Sequence, residues 1–300
     1  DELEAKEQLD VFLDAGGTLL DTAASFCEGV SEEVIGGLLA EHVDRRDLVI
    51  VSKAGVRTWR TGARGTVADA SRGTLLDTLD DSLIRLGTDH LDLWLVQLPD
   101  TTTPLEETAD ALRIAVASGR TRYVGVSNHP AWASVRAADL LASGSAAGPG
   151  MAAVEVEYSL LCRGIERELL PASRVLGFGV LGYAPLGRGV LTGRYRASTP
   201  PDSRGASPHL RSYVAPYLGE SCVGVVEAVA TAATGLDRKP VEVALAWARD
   251  APGIAAAIVG ARTPSQLRGA LASEDLVLPT QIRHALDEIT TISMGYPEQF

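Results

Sequence analysis

The segment LVIVSK, Leu48 to Lys53, sets four apolar residues in succession and then closes on a serine and a lysine. A strand with one wet face alternates apolar and polar side chains, so an unbroken apolar run implies burial on both faces, as in a parallel sheet covered by helices. The charged end then stands where the strand leaves the sheet. Six more runs share this plan: TLLD (18–21), LDLWLVQ (91–97), YVGVSN (123–128), AAVEVE (152–157), GVLGYAP (179–185) and AAAIVG (255–260). Between them, SEEVIGGLLAEH (31–42), ADASRGTLLDTLDDSLIRLG (68–87), PLEETADALRIAVASG (104–119) and GESCVGVVEAVATAATG (219–235) repeat apolar positions at three and four residues. That spacing forms one buried helical stripe. Several of these segments open on Ser, Asp or Pro and end on Gly, the residues that start and stop helices.

Strands alternating with helices give an α/β protein with a parallel sheet. Seven strands suit an open doubly wound sheet. A (β/α)8 TIM barrel needs eight, and this chain opens in a helix, ELEAKEQLDVFLDAGG (2–17). For the barrel, the expectation is that the first strand precedes residue 1 or that something else plugs its gap. Residues 1–300 read as one barrel domain. The long irregular stretch at 194–219 interrupts the rhythm once, as a lid or substrate loop does.

Composition narrows the partners. A net charge of −12 argues against nucleic acid, which needs a basic face. No apolar run reaches the length of a membrane span, and DELEAKEQLD lacks the basic-then-apolar plan of a signal peptide. The three cysteines, Cys27, Cys162 and Cys222, have no metal-ligand spacing, so the expected setting is the reducing cytoplasm with no metal.

The ends of the strands carry Asp21, Lys53, Gln97, Ser127 with Asn128, Glu155, Tyr183 and Gly260. In a parallel barrel these ends converge on the face where active sites sit. Lys53 stands out, because only three of the 27 basic residues are lysines. Asp21 and Lys53, on neighbouring strands, are expected to pair, since neither charge is stable alone in a low dielectric.

In chain order, DAGGTLLDTAASFCEGVSEEVIG, VIVSKAG, LDLWLVQLPD, YVGVSNH, VEVEYSLLCRGIERELLP, GYAPLGRGVLTGRY and IVGARTPSQL resemble the aldo-keto reductase superfamily over nearly the whole chain. The resemblance implies a (β/α)8 barrel that binds NADPH without a Rossmann fold and transfers hydride to a small carbonyl compound. Asp21 and Lys53 match two members of the family's catalytic four. The family's tyrosine, its proton donor, falls on Phe26, and its histidine falls on Gln97. No tyrosine occurs before Tyr123 that could replace it locally.

The resemblance also assigns cofactor positions. Asp21 belongs among them, Ser127 and Asn128 match the pair that grips the nicotinamide carboxamide, and Tyr183 matches the aromatic that stacks on its ring. Leu186, Gly187, Arg188 and Gly189 match the loop around the pyrophosphate, followed by Gly260, while Arg262 and Gln266 fall near the adenosine 2′-phosphate. Glu155 replaces the family's glutamine and is expected to lose an amide donor. Gly269 and Ala270 stand where a Glu-Asn pair holds adenine.

Three readings follow. One is a reductase of carbonyls or activated alkenes whose proton comes from Lys53, directly or through water, with Gln97 donating to the substrate oxygen. Another is a catalytically impaired NADPH-binding sensor or interaction protein. The third is a different reaction in the same pocket, with Tyr213 or Tyr217 of the 194–219 loop as the acid.

Overall fold

The computed structural model describes residues 2–58, 66–143, 150–201 and 203–296. By internal contacts the chain divides into two compact units, Asp1–Val156 with Ala172–Gly179, and Glu157–Pro171 with Val180–Phe300.

The first unit opens with α1 (Glu2–Asp14), then β1 (Leu19–Asp21), α2 (Val30–Glu41) and β2 (Val49–Ala54). A short antiparallel hairpin follows, β3 (Val56–Thr58) and β4 (Thr66–Ala68), then α3 (Arg72–Leu86), β5 (Leu91–Val96) and α4 (Leu105–Ala117). Next come β6 (Thr121–Ser127), α5 (Ala131–Ser143) and β7 (Ala153–Glu157). The five long-range strands pair in parallel, in the order β1-β2-β5-β6-β7. The apolar run that implied burial on both faces is β2, in which every residue from Ile50 to Ala54 is buried.

Helix α3 illustrates how the sequence builds the cover. Leu75, Leu79, Ser82 and Leu86 recur at helical spacing and are its buried residues. Gly87 ends it at φ 62, with its N–H on Ile84 O and that of Thr88 on Leu83 O, an arrangement that answers the last free carbonyls. The helix starts at Arg72, not Ala68, because Ala68 closes the β3–β4 hairpin. That hairpin went unread in the sequence, being three residues per strand; the residues joining its strands, 59–65, lie outside the described ones.

Close approach of β6 and β7 depends on one glycine. A Cβ on Gly125 would lie 2.0 Å from the carbonyl oxygen of Ala153 on the paired strand. Gly125→Ala should therefore cost about 1–3 kcal/mol by forcing the strands apart, measured by urea unfolding. Because Ser127 and Glu155 are paired two residues further on, the same variant should disturb the polar cluster there.

The second unit contains β8 (Gly179–Tyr183) paired in parallel with β9 (Ile254–Ile258). Preceding β8 in the chain is α6 (Leu169–Leu176), most of which belongs to the first unit, and the later helices are α7 (Arg211–Val214), α8 (Glu220–Gly235), α9 (Pro240–Arg249), α10 (Pro264–Leu271) and α11 (Thr280–Ile289). Its core gathers Val225, Val226 and Val229 of α8 with Val243, Ala244 and Trp247 of α9, and Tyr158 stacks on Trp247 with ring centroids 5.3 Å apart.

Candidate active site

Register brings the first pair of charges together. Asp21 is opposite Val51 on β2, and Lys53 lies two residues further on, on the same side of the strand. The Lys53 side chain is 2% exposed; its Nζ donates to Asp21 Oδ1 at 2.5 Å and to the Thr22 carbonyl at 3.0 Å. Glu155 Oε2 approaches the same ammonium at 3.2 Å, off the axis of a hydrogen bond, and has no hydrogen-bond partner. Glu155 was read as a strand end, but β7 continues to Glu157 and leaves Glu155 buried inside the strand.

Two carboxyl groups and one ammonium in a dry site leave one negative charge uncompensated if both acids ionise. Burial, reinforced by the nearby Asp21 carboxylate and opposed by Lys53, pushes Glu155 up to about 8. Near neutral pH that shift favours the protonated carboxyl. A carboxyl in that form both donates and accepts, as an amide does. Three charged residues at or near the C-terminal ends of β1, β2 and β7, two acids to one base, were the signal available in the sequence.

Around this triad stand Phe26 and Gln97, the positions onto which the resemblance carries the family's tyrosine and histidine. Phe26 begins a tight turn, Phe26–Gly29, in which Cys27, Glu28 and Gly29 have φ of 51, 57 and 97. Phe26 is 41% exposed, and its ring centroid lies 5.4 Å from Lys53 Nζ, a cation–π contact. Gln97 follows β5 and is tied to β2 by its N–H on the Ala54 carbonyl at 2.8 Å. Its Oε1 accepts the Ser25 hydroxyl at 2.8 Å, which makes Ser25 a site residue that the sequence reading missed. The Gln97 carbonyl accepts Asn128 Nδ2 at 3.0 Å.

Asn128 leaves β6 at φ 59, held by its N–H on the Glu155 carbonyl at 2.9 Å and by Nδ2 on Ser127 Oγ at 3.0 Å. The first unit thus gathers Asp21, Lys53, Glu155, Phe26, Gln97, Ser127 and Asn128. His129 is buried; its Nδ1 meets the Ser127 carbonyl at 2.8 Å, and burial lowers its pKa, so it stands neutral.

In the second unit Tyr183 ends β8, half-buried, and its carbonyl accepts the Tyr158 N–H at 3.0 Å. Three left-handed residues follow Leu186: Gly187 (φ 55), Arg188 (57) and Gly189 (98). Arg188 carries a side chain in that strained conformation and is held there by Glu157 through a fork, Nε to Oε1 at 2.8 Å and Nη2 to Oε2 at 2.5 Å. Its guanidinium also lies 4.0 Å from the Tyr213 ring centroid and donates to the Tyr213 carbonyl at 2.5 Å. Tyr217 spends its hydroxyl on Glu157 Oε1 at 2.9 Å, and burial pushes its pKa up. Arg188 is thus the fastening of the 194–219 segment. Arg188→Ala should leave that segment cut by a protease on the order of 10-fold faster, since opening by ~1.4 kcal/mol less is tenfold in population, followed by gel electrophoresis.

Gly260 is exposed, two residues beyond β9. Arg262 and Gln266 meet at the start of α10, where Gln266 Oε1 accepts the Arg262 N–H at 3.0 Å and Thr263 caps the helix through the Gln266 N–H at 3.2 Å. Among the described residues no group of His, Cys, Asp and Glu is arranged to hold a metal ion, and no helix is long and apolar enough to cross a membrane.

The model of the aldo/keto reductase family matches residues 1–291. This chain belongs to the aldo/keto reductase family. It is 31% identical over 267 residues to the aldo-keto reductase YhdN of Bacillus subtilis (strain 168), covering 89% of this chain and 77% of that protein. To the protein tas of Escherichia coli (strain K12) it is 32% identical over 321 residues, 98% of this chain and 90% of the other. A probable voltage-gated potassium channel subunit beta of Oryza sativa subsp. japonica is 29% identical over 304 residues, 99% and 89% of the two chains. The fold class expected from the sequence, the α/β (β/α)8 barrel of aldo/keto reductases, is therefore the fold of this chain, and its parallel strands with intervening helices accord with it. Membership supports NAD(P)-dependent oxidoreductase activity on small molecules as the general class of function.

Proposed function

We propose that this aldo/keto reductase is a cytoplasmic, NADPH-dependent oxidoreductase that reduces a small carbonyl compound or an activated alkene, with Lys53 as its proton donor in place of the absent tyrosine. The observation that carries the reading is the buried Lys53 ammonium, held by Asp21 at 2.5 Å beside a phenylalanine that has no proton to give.

In the first unit the residues present fit the carboxamide end of a nicotinamide nucleotide. Glu155 presents a buried carboxyl oxygen without a hydrogen-bond partner, next to Ser127 and Asn128, where the family resemblance seats a carboxamide. A neutral acid there can meet both the oxygen and the amide of such a group. In the second unit, Gly189 has φ 98 and open space where a Cβ would stand, so without a side chain its backbone is open to an anion. The Arg188 side chain is committed to Glu157, which leaves the backbone of 186–189 as the loop's contribution. Arg262, at the N-terminus of α10, is suited to a phosphate by charge and by the helix end.

The nucleotide, when bound, supplies the hydride. The chain's own work is to stabilise and protonate the oxygen that becomes negative. Lys53 offers a full positive charge and three N–H bonds, two of them held by Asp21 and Thr22. Gln97, its Oε1 occupied by Ser25, directs its amide N–H group away from that bond and is the neutral donor. Neither matches a tyrosine–histidine pair, so turnover should be slow for the family.

The test is direct. NADPH added to the protein should quench or enhance nicotinamide fluorescence, and a panel of aldehydes, quinones and enones should draw down its absorbance with at least one compound. Binding without turnover on every compound would support the sensor reading, which Phe26 at the donor position and the likeness to a probable channel β subunit both favour. No binding would defeat both.

A further inference from the structure

The triad contains one proton more than an Asp–Lys pair needs, and it is placed to be used. Glu155 is 4% exposed, its Oε2 has no hydrogen bond, and that same oxygen is the one 3.2 Å from Lys53 Nζ. We propose that Glu155 is the proton reservoir of the site, reloading Lys53 after Lys53 has protonated the substrate. This rests on the functional reading above.

The substrate's carbonyl carbon has taken a hydride, with its electron pair, from the reduced nicotinamide nucleotide, leaving an alkoxide. A Lys53 N–H bond breaks and the alkoxide O–H bond forms, leaving a neutral amine. The Glu155 O–H bond then breaks, Lys53 regains its ammonium, and Glu155 becomes a carboxylate beside it. That carboxylate takes a proton from water before the next turnover.

Electrostatics favour the direction. A buried lysine that has lost its proton leaves Asp21 unpaired, whereas transfer from Glu155 restores an ion pair at once. The charged groups acting on Glu155 are Asp21 from β1 and Lys53 from β2. β6, its paired neighbour, sets Ser127 opposite it without a charge, and His129 beyond is neutral. Glu155 is thus a positioning residue that acts through Lys53, and it performs with an ionisable group what the family's glutamine cannot do.

Infrared difference spectroscopy of the whole protein reads the proton without any turnover. Wild type minus Glu155→Gln should show the carbonyl stretch of a neutral carboxyl at pH 7, replaced by the carboxylate band with a midpoint near 8. In the presence of NADPH and an accepted substrate, wild-type kcat should fall as pH rises through the same midpoint. Glu155→Gln should lower kcat by on the order of 10² and lose that alkaline limb. Glu155→Asp, which retains a carboxyl, should recover both the band and the limb in part. A carboxylate-only spectrum at pH 7 overturns the proposal regardless of activity, and so do identical pH–rate profiles for wild type and Glu155→Gln. Absence of turnover with a neutral Glu155 in the spectrum would fell the functional reading and the relay with it, leaving only the protonation state standing.

Discussion

Phe26→Tyr combined with Gln97→His should raise carbonyl reduction by roughly 10²–10⁴, the usual contribution of a general acid in a prepared site. The site is prepared in position: the Phe26 ring centroid lies 5.4 Å from Lys53 Nζ, so a small turn of a tyrosine ring at this position would bring its hydroxyl toward an ammonium held by Asp21. An adjacent cation favours the ionised form of a phenol, lowering its pKa toward the working range. Phe26 is also 41% exposed, so an added oxygen meets no crowding from a packed core. Gln97→His gives up the bond from Ser25 but places an imidazole at a position anchored to β2 through the Gln97 N–H. Steady-state absorbance with one aldehyde and one enone measures the gain. Phe26→Tyr alone should give most of it, because the donor is the larger loss. No gain from the pair, with NADPH still bound, would mean that the triad is not aimed at the reacting carbon, and the sensor reading would take precedence.

The strands were legible because a parallel sheet covered on both sides writes itself as apolar runs, and β2 and β5 are such runs. Asp21 and Lys53 were legible as a pair for the same reason: strand register is local, and charges on adjacent strand ends have to meet. The β3–β4 hairpin was not, since three alternating residues per strand carry too little pattern. Ser25 was hidden because its role depends on Gln97, 72 residues away, across two strands. Glu155 was legible as a position, whereas the upward direction of its pKa depends on burial and on Asp21 and Lys53, which only the packed structure brings beside it. The Glu157–Arg188–Tyr213 cluster was likewise beyond sequence reading, because it joins three segments that share no periodicity.

Lys53→Met should cost about 3–5 kcal/mol of stability at pH 8, the penalty for stranding a buried charge by removing its partner. Asp21 and Glu155 would then face each other without a cation, and such a pair binds a proton tightly in the folded state. Folded groups with raised pKa values stabilise fully below their unfolded values and lose that contribution as pH rises, so the penalty should shrink markedly at pH 5. The same sign holds for wild type, where Glu155 moves from an ordinary 4.5 to about 8. Its contribution is complete below 4.5 and fades across that window, and Glu155→Gln should abolish the fading. Asp21→Asn is the informative contrast. Removing Asp21 takes away the neighbour that helps to raise Glu155, so Glu155 ionises more readily and becomes the partner of Lys53, 3.2 Å away. The cost should be smaller, about 1–3 kcal/mol for the lost charged hydrogen bond. Combining Asp21→Asn with Lys53→Met should cost less than the two single losses added, because the second change removes one of the charges that the first left stranded. Urea unfolding of the four variants at pH 5 and pH 8 gives the whole set. A small, pH-independent loss for Lys53→Met would mean that water reaches the triad, and a hydrated triad could not hold the Glu155 proton on which the relay depends.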